Sequence, residues 1–123
     1  MKKIMCLLLL FSLLAACAPQ PSTSGIRGEV SIGPMCPVIQ EGVPCPDQPY
    51  QAELTVLTTA GRRVLRFTTD EAGKFAVNLR PGDYILHAES PDGGSMPYAE
   101  DVPFTVHPDS FTVVNVFFDS GIR

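Results

Sequence analysis

The chain has 123 residues, 45% of them hydrophobic and 18% charged, with 13 acidic residues against 9 basic ones for a net charge of −4. That length holds one domain and leaves no room for a second independent core, and the hydrophobic content is too high for a disordered chain. With neither a basic surplus nor an RNA-binding aromatic motif, nucleic acid is set aside as a partner.

The first element in chain order is an address. Lys2 and Lys3 form a positive start, and Ile4 to Ala16 is an apolar run broken only by Ser12, the arrangement of a secretory signal. As a helix this run spans roughly 20 Å, short of the roughly 30 Å hydrocarbon core, so a permanent transmembrane helix is not expected. Its end, Leu14-Ala15-Ala16-Cys17, resembles the lipobox of bacterial lipoproteins. The resemblance implies that residues 1–16 are a signal peptide and that Cys17 becomes the first mature residue, its sulfur joined to diacylglycerol and its acyl chains, palmitate among them, held in a membrane. The alternative is an ordinary signal peptide that leaves Cys17 a free thiol. Cys6 falls within the discarded segment. Residue 18 is Ala rather than Asp, which in a Gram-negative lipoprotein implies the outer membrane; otherwise the outer face of the cell membrane is expected.

Loss of Lys2 and Lys3 lowers the basic count from 9 to 7 against 13 acidic residues, a net charge of −6. Contact with lipid is therefore expected through the anchor alone. Residues 17–24 read as the lipidated Cys and a flexible linker, since Ala-Pro-Gln-Pro-Ser-Thr-Ser has two prolines and no apolar periodicity. At roughly 3 Å per residue it reaches about 20 Å. The folded unit is expected over 25–123.

Period-2 alternation recurs through that unit and no helical period is sustained, which predicts an all-β chain. Seven strands are predicted: Ile26 to Ile32, Ala52 to Thr58, Arg63 to Thr69, Lys74 to Leu79, Asp83 to Ser90, Val102 to His107 and Phe111 to Phe118. Turn chemistry at Thr59-Ala60-Gly61, Asp70 to Gly73, Pro81-Gly82 and Pro108-Asp109-Ser110 reads as four hairpins between mostly antiparallel neighbours.

Thr69-Asp70-Glu71-Ala72-Gly73-Lys74-Phe75 followed by Leu79-Arg80-Pro81-Gly82-Asp83-Tyr84 resembles the signature of carboxypeptidase regulatory-like and Cna-B-type domains. Gly25-Ile26-Arg27-Gly28-Glu29-Val30 is similar to their usual first strand. The resemblance implies a transthyretin-like (prealbumin-like) fold, a seven-stranded Greek-key β-sandwich. It says little about activity, because such modules serve mostly as accessory, adhesive and structural domains. The residues also have local reasons: Gly73 and Gly82 permit positive φ in turns, Pro81 presets φ, and Phe75 and Tyr84 bring apolar area to a core.

The insert from Gly33 to Tyr50 holds five prolines and two cysteines, Cys36 and Cys45. In an oxidising envelope the default is a Cys36–Cys45 disulfide, worth roughly 2.5 to 3 kcal/mol by loop-closure entropy and able to stiffen an exposed loop. Met35, Val38 and Ile39 are its candidate binding residues. A metal site from Cys36, Cys45, His87 and His107 lacks any ligand spacing, and both histidines are expected on solvent-facing sides of strands. No cofactor is expected. The loop from Ser90 to Asp101 carries Met96 and Tyr98, which either recognise a partner or cover the sandwich edge.

A catalytic transthyretin relative, hydroxyisourate hydrolase, ends in Tyr-Arg-Gly-Ser, whereas this chain ends Asp119-Ser120-Gly121-Ile122-Arg123 and has no early histidine. No G-x-S-x-G elbow is present. The Lys–Asn isopeptide bond of Cna-B domains is not expected either, since the single mature lysine, Lys74, is not on the first strand. The sequence thus reads as a membrane-anchored envelope lipoprotein, a non-catalytic module that binds a protein or glycan or supports an assembly. The alternatives are an envelope enzyme of unknown type and a small stabilising or inhibitory protein acting through the stapled loop.

Overall fold

The structure, a computed structural model, describes residues 23–38 and 40–123. The expected signal peptide, Cys6, Cys17 and Ile39 lie outside the described residues. Among those described there is no α-helix, and nine strands form two sheets: β1 (Gly25–Gly33), β2 (Gln48–Pro49), β3 (Glu53–Thr58), β4 (Arg63–Thr68), β5 (Lys74–Asn78), β6 (Gly82–Ala88), β7 (Val102–Val106), β8 (Phe111–Val113) and β9 (Val116–Asp119). One sheet has the order β4-β3-β6-β7; the other is built around β1.

β1 has four partners because it is long enough to pair twice along each edge. Its first half, from Gly25, lies between antiparallel β5 and parallel β8, and its second half, from Val30, lies beside parallel β9 and antiparallel β2. The seven strands expected become nine for two reasons. β2 is a two-residue strand inside the proline-rich insert. The last predicted strand divides at Val114 and Asn115, where the Val114 N–H donates to the Arg27 carbonyl at 2.8 Å and the Asn115 side-chain oxygen accepts from the Glu29 N–H at 3.1 Å. A side-chain carbonyl thus stands in for a backbone acceptor at the break.

Of the four turns read as hairpins, Thr59 to Gly61 alone joins hydrogen-bonded neighbours, β3 and β4. Asp70 to Gly73, Pro81-Gly82 and Pro108 to Ser110 each carry the chain from one sheet to the other, since β4, β6 and β7 lie in one sheet and β5 and β8 in the other. Turn residues dictate that the chain reverses; the facing apolar sides decide whether it reverses beside itself or across the core. Phe75 on β5 and Leu86 on β6 accordingly come from opposite sheets into one core, with Ile26, Val30, Leu54, Val56, Val106 and Phe118 fully buried among them. Tyr50 meets Phe118 edge-on at 4.9 Å between ring centres, and Phe67 lies 5.5 Å from Phe75.

The fold also reaches two residues before Gly25. Ser24 is buried and donates its hydroxyl to the Leu79 carbonyl at 2.6 Å, and Thr23 donates to Asp109 at 2.6 Å. These two residues, expected as linker, make the first contacts of the sandwich among the described residues.

Candidate binding surface

Strand directions divide the molecule into two ends. Gly25 lies opposite both Asn78 and Phe111, so the chain enters the fold beside the turn at 79–82, the turn at 107–110 and the β3–β4 hairpin. β1, β8 and β9 run in parallel away from that end. The insert after β1, the turn at Asp70 to Gly73, the loop between β6 and β7 and the C-terminal residues therefore all sit at the opposite end.

The two candidate loops meet there around one short segment. The Ser120 N–H donates to the Gly33 carbonyl at 2.9 Å and its hydroxyl to the Pro34 carbonyl at 2.5 Å, fixing the base of the insert. The preceding residue, Asp119, exchanges two backbone hydrogen bonds with Tyr98, at 2.7 and 3.0 Å. Gly121, with φ of 80°, packs against the Met96 side chain, which leaves no room for a Cβ without displacing it. One C-terminal strand end thus positions both loops.

Cys36 and Cys45 are joined by a disulfide. Beyond it the insert turns back on itself, the Val43 N–H donating to the Gln40 carbonyl at 3.1 Å around Gly42, whose φ is 78°. Met35 is 38% and Val38 69% exposed, and Val43, which the sequence did not single out, is 56% exposed. In the second loop Met96 and Tyr98 are also exposed, at 48% and 51%. The covering role weighed for them from sequence is therefore only partial, with Met96 lying on Gly121.

His87 and His107 stand at opposite ends, on β6 and beyond β7, and the cysteines are consumed by their bridge, so the four metal-ligand types are not brought together. Among the described residues no three His, Cys, Asp or Glu side chains are arranged to hold a metal ion. His87 lies half-exposed on the outer face of its sheet, as expected, with Nδ1 2.6 Å from an Asp101 carboxylate oxygen and Nε2 3.6 Å from Glu89. These groups rim an open concavity of about 620 Å³ beneath the second loop.

The loop end is acidic: Glu41, Asp47, Asp70, Glu71, Glu89, Glu100 and Asp101 are carried there, whereas Arg62, Arg63 and Arg80 lie at the N-terminal end. Asp119, at the same end, is paired with an arginine. Two hydrogen bonds from Arg123, at 2.8 and 3.2 Å, with the Gly121 N–H at 2.9 Å, hold its carboxyl at about 2, below its usual 3.8.

Fold and surface together define a β-sandwich module with two long loops gathered at the end remote from its N-terminus. No protein-family model matches the chain, and no curated protein is similar to it. Among solved structures, the chain is similar to the minor pilin GBS52 of the Gram-positive pathogen Streptococcus agalactiae, with a TM-score of 0.57 and 13% identity over 80% of this chain and 45% of that one. The Bacillus anthracis TIE protein aligns at a TM-score of 0.46 and 19% identity, over 77% of this chain and 17% of the other. The chain spans less than half of either neighbour. The likeness to GBS52 shows the sandwich fold.

Proposed function

We propose that the protein is an envelope lipoprotein, anchored through Cys17, whose carboxypeptidase regulatory-like, Cna-B-type sandwich is a non-catalytic binding or structural module. The observation that carries this reading is polarity: the chain enters the sandwich at one end, and the stapled insert and the Met96–Tyr98 loop are at the other. A tether over residues 18–22, about 15 Å at roughly 3 Å per residue, stands at the first end and holds the second away from the bilayer. Exposed Val38, Val43 and Tyr98 supply apolar contact, and the disulfide limits the entropy lost when the insert is captured. Similarity to a minor pilin supports a structural or adhesive role at the fold level. The expected location is the outer membrane in a Gram-negative cell or the outer face of the cell membrane otherwise, with an envelope protein or glycan as partner.

Crosslinking in intact cells, followed by affinity capture of the full chain and mass spectrometry, tests the reading. One partner at near-equal amount, lost with Cys36→Ser and Cys45→Ser together, is the expected result. Failure to recover any protein, followed by a blank glycan array, contradicts it. Inhibition of the lipoprotein signal peptidase should leave an uncleaved precursor, and normal processing would contradict the anchor.

The exposed insert also favours a second reading, a small inhibitory protein acting through that loop alone. Under it, reducing the disulfide abolishes binding while Met96→Ala and Tyr98→Ala leave it unchanged.

A further inference from the structure

The segment from Tyr98 to Val102 passes from one sheet to the other, and a cleft opens where it departs. At Tyr98 it is bridged antiparallel to Asp119 on β9 by two backbone hydrogen bonds, at 2.7 and 3.0 Å. At Val102 it begins β7, which pairs with β6 in the other sheet. Alternate residues of the two diverging segments form the walls: Tyr98, Glu100 and Val102 on one, Asn115, Phe117 and Asp119 on the other. The cleft has a volume of about 420 Å³, within the range of about 300–1,000 Å³ usual for small-ligand sites.

Most groups on these walls are uncommitted. Tyr98 and Phe117 are half-exposed, and among the described residues neither ring packs on another aromatic ring. The Glu29 N–H donates to Asn115 Oδ1 at 3.1 Å, which orients the amide and leaves its two N–H donors over. Asp119 directs its own N–H and carbonyl outward to Tyr98, so by strand alternation those of Phe117 point the same way, into the cleft. Among the described residues these Phe117 groups and the Asn115 N–H donors have no hydrogen-bond partner, and Glu100 has no ion pair. The Asp119 carboxylate, by contrast, is held by Arg123 and the Gly121 N–H.

This set of groups selects a class of ligand. A peptide strand would need a run of outward backbone groups on β9, and the Tyr98 bridge leaves it those of Phe117 alone. A pyranose ring needs no such run. Its C–H face is attracted to the negative face of an aromatic ring, and its hydroxyls both donate and accept. Two exposed rings beside amide donors and carboxylate and carbonyl acceptors match that mixture. With Asp119 balanced by Arg123, the charge facing the cleft is that of Glu100, which disfavours a carboxylated or sulfated sugar.

We propose that the cleft between Tyr98 and Phe117 is a saccharide subsite for an uncharged pyranose unit of an envelope glycan. The sugar packs against the two rings, with Asn115 donating to one hydroxyl and Glu100 accepting from another. The proposal rests on the reading of the protein as a binding module and names the chemistry of its ligand. The cleft starts at the Tyr98–Asp119 bridge, at the end remote from the entry of the chain, where the tether leaves it open to a surface polymer.

The test applies the full chain, extracted from its membrane, to an array of neutral and acidic oligosaccharides. The best binder is then titrated in while the amide NMR spectrum is followed. Expected are binding confined to neutral oligosaccharides and shifts of the Phe117 backbone amide and the Asn115 side-chain NH2. Tyr98→Ala and Phe117→Ala should each weaken binding roughly tenfold. Val64→Ala, at an exposed position on β4, should leave it unchanged. Equal or better binding of acidic oligosaccharides, shifts confined to other residues, or affinity that survives either aromatic substitution overturns the proposal. A blank array overturns it too. If a photo-crosslinker at Val38 then captures a protein partner, the binding-module reading stands without this subsite; if it captures nothing, both fail.

Discussion

The Ser120 hydroxyl donates to the Pro34 carbonyl at 2.5 Å, tying the last strand to the base of the stapled insert 86 residues earlier. The same residue's N–H holds the Gly33 carbonyl, so two groups of one serine fix where the insert leaves the sandwich.

Ser120→Ala removes the hydroxyl's bond to the Pro34 carbonyl and the one it accepts from the Ile122 N–H at 3.2 Å, and keeps the backbone one. A loss of about 0.5–1.5 kcal/mol is expected, as for an ordinary hydrogen bond. Hydrogen exchange should quicken in the insert from Met35 to Cys45 while β3 and β6 are unaffected. Unchanged exchange in the insert would show that the serine does not restrain it.

Phe117 and Phe118 are neighbours of identical composition and opposite environment, one 50% exposed and the other fully buried. Phe118→Ala should cost about 3–5 kcal/mol through the cavity left beside Tyr50. Phe117→Ala should fall within about 0.5 kcal/mol of the parent. Urea unfolding of the two variants checks the strand's facing directly, because exchanged magnitudes would mean the register of β9 on β1 is displaced by one residue.

Gly28 faces the Val114 carbonyl where the last strand breaks, and a Cβ there would overlap that oxygen. Gly28→Ala should destabilise by about 1–3 kcal/mol, the range for forced overpacking. Gly61, with φ of 86° but open space around it, is the control: its cost should come from backbone strain alone, and Gly61→Asn should recover part of what Gly61→Ala loses. A harmless Gly28→Ala would remove the close approach from the account.

Asp119 titrates at about 2 because Arg123 hydrogen-bonds its ionised form, with Gly121 adding a backbone donor. Its pKa is depressed on folding, so its contribution is present above the unfolded value near 3.8 and is lost as pH falls from there through about 2. Carboxyl-detected NMR should show Asp119 ionised at pH 3, and Arg123→Gln should move its midpoint upward toward 3.8. A midpoint that ignores Arg123→Gln would assign the shift to other groups.

Strand positions were legible because alternation is local: β3, β4 and β6 fall within a residue or two of their predicted bounds. Partner choice was not. Asp70-Glu71-Ala72-Gly73 and Pro81-Gly82 mark reversals correctly, yet whether β5 pairs with β4 or faces it is decided by Phe67 and Phe75 meeting across the core. The break at Asn115 was hidden because it depends on Gly28 and Glu29, more than eighty residues away. In the sequence the loops carrying Met35, Val38, Met96 and Tyr98 stand more than fifty residues apart, as separate candidates. Their common end follows from the Tyr98–Asp119 and Ser120–Gly33 bonds, long-range contacts that no local signal announces. Phe117 was missed as a surface residue because alternation marks which face a residue takes, and not that its strand ends a sheet.

The most direct test of the central claim, that the end remote from the N-terminus is the binding end, is site-specific photo-crosslinking in intact cells. A photo-crosslinker at Val38 in the stapled insert is compared with one at Asp109 beside the N-terminal approach. Position 38 should capture one envelope partner or glycan-bearing species, and position 109 should not. Capture from position 109 with none from position 38 would contradict it.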